Sequence, residues 1–200
     1  MKALLRYEMR LWLALYRWVF RRPEPLAPGT MRFSYSGGGT LLLTAFIVVS
    51  AIEIPILELV LPWRIARIIS LIAGVYGLLW MIGLMATLHV YPHLVGDSGI
   101  RVRKSFALDL TVPWGNIRDI RSRGRSLPPG GTTQFEDGVL SYGVSGGTTV
   151  DLVLQEPITL PEKKTRGEPV REIRFHADRA EEMVAAARTR LTDNSHLGDH

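Results

Sequence analysis

The chain has 200 residues with a net charge of +5, and 46% of them are hydrophobic although 22% are charged. That pairing excludes an evenly mixed soluble surface, because only Glu53, Glu58, Arg64 and Arg67 are formally charged between Thr40 and Val90. The chain has no cysteine, which excludes disulfides, thiolate nucleophiles and Cys-based zinc or iron–sulfur centres.

Residues 1–22 read as a basic amphipathic helix. At 100° per residue Lys2, Arg6, Arg10, Arg17 and Arg21 share one stripe, with Leu4, Leu11, Trp12, Leu15 and Trp18 over much of the rest. The expected position is in the membrane plane, with those cations on anionic headgroups and the tryptophans at the acyl boundary. Arg17 interrupts the apolar stretch and no small-residue cleavage site follows, which argues against a signal peptide.

Residues 23–39, rich in Pro and Gly, read as a linker. Residues 40–90 read as a transmembrane hairpin. Thr40–Leu61 and Ile68–Val90 are each long enough to cross about 30 Å of hydrocarbon. The link at Pro62-Trp63 is short, so the two helices are expected to be antiparallel neighbours. Ionisable groups in a span are costly and often functional. Counting from the turn sets Glu58 opposite Arg67 as an ion pair and leaves Glu53 about 12 Å inside the span's end. Arg21, Arg22, Arg32, Arg101, Arg103 and Lys104 flank the hairpin, against Arg64 and Arg67 in its turn. This bias predicts a multi-pass protein of the cell membrane with cytoplasmic N- and C-termini.

From Tyr91 the period changes to alternation. Strands are expected at Gly99–Arg103, Ala107–Val112, Asn116–Arg123, Gly138–Tyr142, Thr148–Leu154 and Arg171–His176, with a turn at Lys104-Ser-Phe. Residues 124–137, 143–147 and 155–169 read as loops. A helix is expected over Asp178–Leu191 with Asp178 as its N-cap, Glu181 in a capping-box spacing, and an apolar stripe of Ala180, Met183, Val184, Ala187 and Leu191. Residues 192–200 are expected to be a disordered tail.

Three stretches carry a family likeness: His93-Leu-Val-Gly-Asp-Ser-Gly-Ile-Arg-Val-Arg, Leu108-Asp-Leu-Thr-Val-Pro-Trp-Gly-Asn-Ile-Arg-Asp-Ile, and Ile173-Arg-Phe-His-Ala-Asp-Arg-Ala-Glu-Glu-Met-Val. With the paired helices before them, they resemble bacterial pleckstrin-homology-like (PH-like) domains on a two-helix anchor. The resemblance covers residues 91–191 and implies an α+β fold: a PH-like barrel or sandwich of about seven strands capped by a C-terminal helix. It also implies a binding or assembly module. Eukaryotic PH-like domains often hold phosphoinositides with basic residues on early strands, which makes Arg101, Arg103 and Lys104 a candidate lipid or anion site.

Enzyme signatures are absent: there is no G-x-S-x-G, H-E-x-x-H, P-loop or dinucleotide fingerprint. His89 and His93 are four apart, but Pro92 breaks the helical geometry a metal pair would need. The expectation is a non-enzymatic binding or scaffold module at the cytoplasmic membrane surface, without catalytic residues, cofactor, metal or nucleic-acid partner. Its partners are the bilayer and a protein or a second copy. The alternative is an accessory subunit of a membrane transporter or enzyme acting through Glu53.

Overall fold

The computed structural model describes residues 2–22, 26–104, 108–160 and 165–197, without the side chains of 2–6, 38 and 194–197. The order is α1 (Lys2–Val19), β1 (Met31–Phe33), α2 (Gly37–Val60), α3 (Arg64–Val90), β2 (His93–Gly96), β3 (Gly99–Lys104), β4 (Leu108–Val112), β5 (Ile117–Ser126), β6 (Thr133–Glu136), β7 (Val139–Tyr142), β8 (Gly147–Thr159), β9 (Pro169–Phe175) and α4 (Ala180–Leu197). The chain divides into a helical unit, Met1–Glu24 with Gly38–Val90, and a sheet unit, Pro25–Gly37 with Tyr91–His200.

In the helical unit α2 and α3 are long and apolar enough to cross a membrane. Their large side chains face outward all round, Leu41 at 78% and Leu59 at 86% exposed. A helix apolar on every side calls for an apolar surround. Pro55 sits within α2, which continues to Val60.

The tightest helix pair is α1 with α3. Leu11 and Ala14 are buried, and a Cβ on Gly83 would clash with Leu11 Cδ2. Only glycine allows that approach. Tyr7 stacks near Trp80 at 6.4 Å, Trp12 lies 6.3 Å from Tyr76, and Trp18 lies 6.0 Å from His89, so α1 and α3 run in the same direction. α1 thus packs along α3 within the helical unit. Gly83 accepts Leu11, and Ala14 and Ala86 are fully buried, so α1 lies along a span-length helix. Arg10, Arg17 and Arg21 stay outside the buried seam, while the side chains of Lys2 and Arg6 lie outside the described residues.

The sheet unit has two sheets instead of a closed barrel. One is the antiparallel meander β1-β2-β3-β4, and the other has the order β5-β8-β9-β7-β6 with β7 parallel to β9. A shared core of Val95, Ile100, Val102, Ile120, Leu152, Ile173 and Phe175 is capped by Met183, Val184 and Ala187 of α4. Full burial of each large aliphatic is worth about 1.5–3 kcal/mol. Trp114 donates its indole N–H to the Gly96 carbonyl at 3.1 Å, which satisfies its one polar atom inside this core.

Several expected boundaries move. Residues read as linker supply β1 and the first turn of α2, the loop at 124–137 holds β6, β8 runs on to Thr159, and α4 reaches Leu197. Pro23, Pro25, the turn residues after Lys104 and residues 198–200 lie outside the described residues. Asp178 does not cap α4. Its carboxylate accepts hydrogen bonds from Ser34 Oγ at 2.7 Å, the Ser36 amide at 3.1 Å and the Gly37 amide at 3.0 Å.

Candidate functional site

Two two-residue turns shape the concave part of the five-stranded sheet. Glu136 pairs with Val139 across Asp137-Gly138, both at positive φ (+49° and +77°). This is the type I′ hairpin that Asp-Gly favours. Ser145-Gly146 makes a second turn, at φ +51° and +80°, before β8. Gln134 Nε2 then donates to the carbonyls of Pro128 (2.7 Å) and Gly131 (3.0 Å), which holds the β5–β6 loop beside the sheet.

Between that loop and the strands lies an open groove of about 340 Å³, lined by residues that include Arg125, Gln134, Glu136, Ser141, Thr148 and Arg174. The two lining arginines belong to an alternating charge chain that runs behind the groove. Arg125 donates to the buried Asp151 at 3.0 Å, Arg174 Nε stands 3.8 Å from Asp151 and 2.6 Å from Glu172. A carboxylate as buried as Asp151 is stable only with such partners. Thr148 borders the same groove at 1% exposure, its hydroxyl turned inward without a hydrogen-bond partner among the described residues. The groove thus offers two guanidinium groups, an amide, hydroxyls and carboxylates to a polar ligand.

The anion site expected at Arg101, Arg103 and Lys104 has a different geometry. Arg101 holds Asp109 through two hydrogen bonds of 2.5 Å. Arg103 is buried with its Nε 3.5 Å from the same carboxylate. Burial opposes ionisation of Asp109, but the two arginines outweigh it and hold the carboxyl below its ordinary value. Lys104 Nζ donates to Thr132 O and Oγ1 and to Thr133 Oγ1 at 2.9–3.0 Å, and lies 5.6 Å from the Tyr142 ring centre. All three cations therefore have partners inside the fold.

His93 is a core residue. It lies 4.8 Å from both the Tyr35 and the Phe175 rings; Nε2 bonds the His176 carbonyl at 2.9 Å and Nδ1 accepts the Arg103 amide at 3.0 Å. Burial drives its pKa down to about 4 despite the hydrogen bond to His176. Both ring nitrogens are occupied, and no group of metal-binding residues occurs among the described residues.

In the helical unit Arg67 Nε stands 3.9 Å from Glu58, the pairing that the turn position implied, and Arg67 also donates to the Leu61 carbonyl at 3.0 Å. Glu53 is exposed on α2 with no hydrogen-bond or ion-pair partner among the described residues. Sequence reasoning missed Glu8, which accepts the Tyr76 hydroxyl at 2.9 Å. Its position on the apolar side of α1 was the available signal. The groove was missed as well, although Asp137-Gly138 between alternating segments is a hairpin signature.

No family model, no curated protein and no solved structure matches this chain. The class therefore rests on architecture: two span-length apolar helices, with α1 packed on the second, joined in one chain to an α+β unit of two sheets and a C-terminal helix.

Proposed function

We propose that the chain is a non-enzymatic binding or scaffold module, anchored by α2 and α3 across the cell membrane, with its sheet unit and C-terminus on the cytoplasmic side. The observation that carries the binding role is the groove: its guanidinium, amide and carboxylate groups and its open mouth suit recognition of a polar protein segment. The basic residues flanking the hairpin support the orientation. A PH-like ancestry is supported by strand count. Setting aside the β6–β7 hairpin leaves β1–β4, then β5, β8 and β9 as an antiparallel trio, then the closing helix α4. Direct lipid-phosphate binding by Arg101, Arg103 and Lys104 is the less favoured mode, because their charges are already engaged.

The test is affinity purification from native membranes in mild detergent, comparing the wild type with Ser141→Arg and Thr148→Val. Ser141 is 6% exposed beside Arg174, so an added guanidinium there crowds and overcharges the groove. A protein partner that is recovered with the wild type and lost with both variants, at equal membrane levels, supports the reading. A partner retained equally by both variants removes the groove from it. The second reading, an accessory subunit engaged through Glu53, is favoured by the exposure of that carboxylate on a span-length helix. It predicts a stoichiometric transporter or enzyme that Glu53→Gln releases.

A further inference from the structure

Helices α1 and α2 lie on opposite sides of α3. Tyr76, Trp80 and Gly83 meet α1, while Gly74 and Met85 meet α2 through Ile54 and Thr44 and a Cβ on Gly39 would touch Leu88. At about 100° per residue those two sets of α3 residues point roughly 150° apart, so the unit is a shallow row in the order α1, α3, α2. The same wheels, oriented by these contacts, put three features on the concave face of that row. They are Arg10 of α1, the small residues Ala66, Ser70, Ala73 and Gly77 of α3, and Glu53 of α2.

Heights along the row also correspond. Ile54 against Gly74 sets Glu53 level with residue 75 of α3, while Glu8 against Tyr76 and Leu11 against Gly83 set Arg10 level with residues 78 to 82, so the two lie within about three to seven residues' rise, roughly 5–10 Å, of each other along the axis. Helical side chains lean toward their own N-terminus. Because α1 and α2 run in opposite directions, Arg10 and Glu53 lean toward a common level. Within one chain α3 separates them. A second copy turned by 180° about an axis parallel to the helices, however, sets its α2 against the first copy's α1, and its α3 against α3.

We propose that this face is the interface of a two-fold dimer in the membrane, in which Arg10 of each copy pairs with Glu53 of the other. Three observations support a second copy as the occupant. The charges are complementary and symmetric, as an isologous interface requires. Glu53 has no partner among the described residues, and an isolated carboxylate facing lipid is costly. A Cβ on Gly77 would meet nothing within 4 Å, so the floor of the face is open to the close backbone approach that small residues allow. The inference rests on the reading of α2 and α3 as membrane spans and is independent of the groove.

The absence of native cysteine makes disulfide trapping in native membranes the direct test. Ala73→Cys, near the proposed axis, should give an oxidant-induced dimer, whereas Val75→Cys on the opposite face should not. Added to Ala73→Cys, Glu53→Leu should reduce the cross-linked fraction roughly tenfold, as expected for loss of two interhelical polar contacts. Glu53→Arg should do the same, and Arg10→Glu combined with Glu53→Arg should restore it. Equal cross-linking from both cysteine positions, indifference to Glu53→Leu, or Ala73→Cys linked to a different protein would overturn the proposal. Chain that resists carbonate extraction yet gives no dimer overturns the dimer alone. Chain released by carbonate overturns the spans and the dimer together.

Discussion

Asp178 Oδ1 accepts the amide of Gly37, the first residue of α2, at 3.0 Å across 141 positions of sequence. The same carboxylate takes the Ser36 amide and the Ser34 hydroxyl. It therefore supplies a long-range helix N-cap, satisfying donors that the Gly-rich start of α2 cannot satisfy with its own side chains.

Replacing Asp178 by Ala is predicted to destabilise the sheet unit by about 1–2 kcal/mol, the usual cost of losing a cap, read as a lower urea midpoint in detergent. Asp178→Asn should retain part of the loss, since its single carbonyl oxygen cannot serve all three donors. Burial opposes ionisation of Asp178, but the hydrogen bonds from Ser34 and Gly37 and the nearby His176 hold its pKa below the ordinary value. The sign follows from linkage: this stabilisation is present above the unfolded carboxyl's pKa and is lost as pH falls through the folded one.

His93 sets a second acid dependence at higher pH. Its pKa is about 4 in the fold against an ordinary 6.5, so the unfolded chain binds the extra proton between those values. Stability should be flat above about pH 6.5, fall as pH drops toward 4, and lose about 3 kcal/mol in all from this residue. Denaturant midpoints at pH 7.5 and pH 5 measure it. His93→Gln should narrow the difference between them at some cost in overall stability, and an unchanged difference would remove His93 as its source.

Asp109 joins Arg101 to the buried Arg103. Asp109→Ala leaves the Arg103 charge without that carboxylate, whereas Arg101→Ala still leaves Asp109 beside Arg103. Asp109→Ala should therefore be the more destabilising, by about 1–2 kcal/mol, a value reduced by the half exposure of Asp109. Parallel urea unfolding of the two variants decides it.

Much of the fold was legible because alternation and helical period report burial directly. The stripe Met183, Val184 and Ala187 does cap the core, and Glu58 does approach Arg67. What was not legible depends on distant partners. β1 is three residues long and becomes a strand by pairing with β2. The Asp178 motif gave the right capping chemistry but pointed to the nearer helix. The arginine stripe of α1 suggested a solvated or headgroup-facing side, while the buried seam of Leu11 and Ala14 beside it packs in the helical unit. The groove combines segments from β5 to β9, so no single motif announced it.

That seam gives a further prediction. A cysteine at Ala14, which is fully buried, should resist thiol reagents in detergent. Adding Gly83→Leu, whose Cβ enters the space of Leu11 Cδ2, should expose it and raise the labelling rate roughly tenfold or more, since overpacking of this kind typically costs about 1–3 kcal/mol. Equal protection in both backgrounds would show that α1 is held by something other than this contact.

The most direct test of a membrane-anchored module with a cytoplasmic sheet unit is labelling of single cysteines in intact cells by an impermeant thiol reagent. Trp63 lies in the turn between α2 and α3, and Ser126 ends β5 at the groove. The account predicts that a cysteine replacing Trp63 labels in intact cells, and that one replacing Ser126 labels only after lysis. Labelling at Ser126 before lysis, with Trp63 protected, would contradict it.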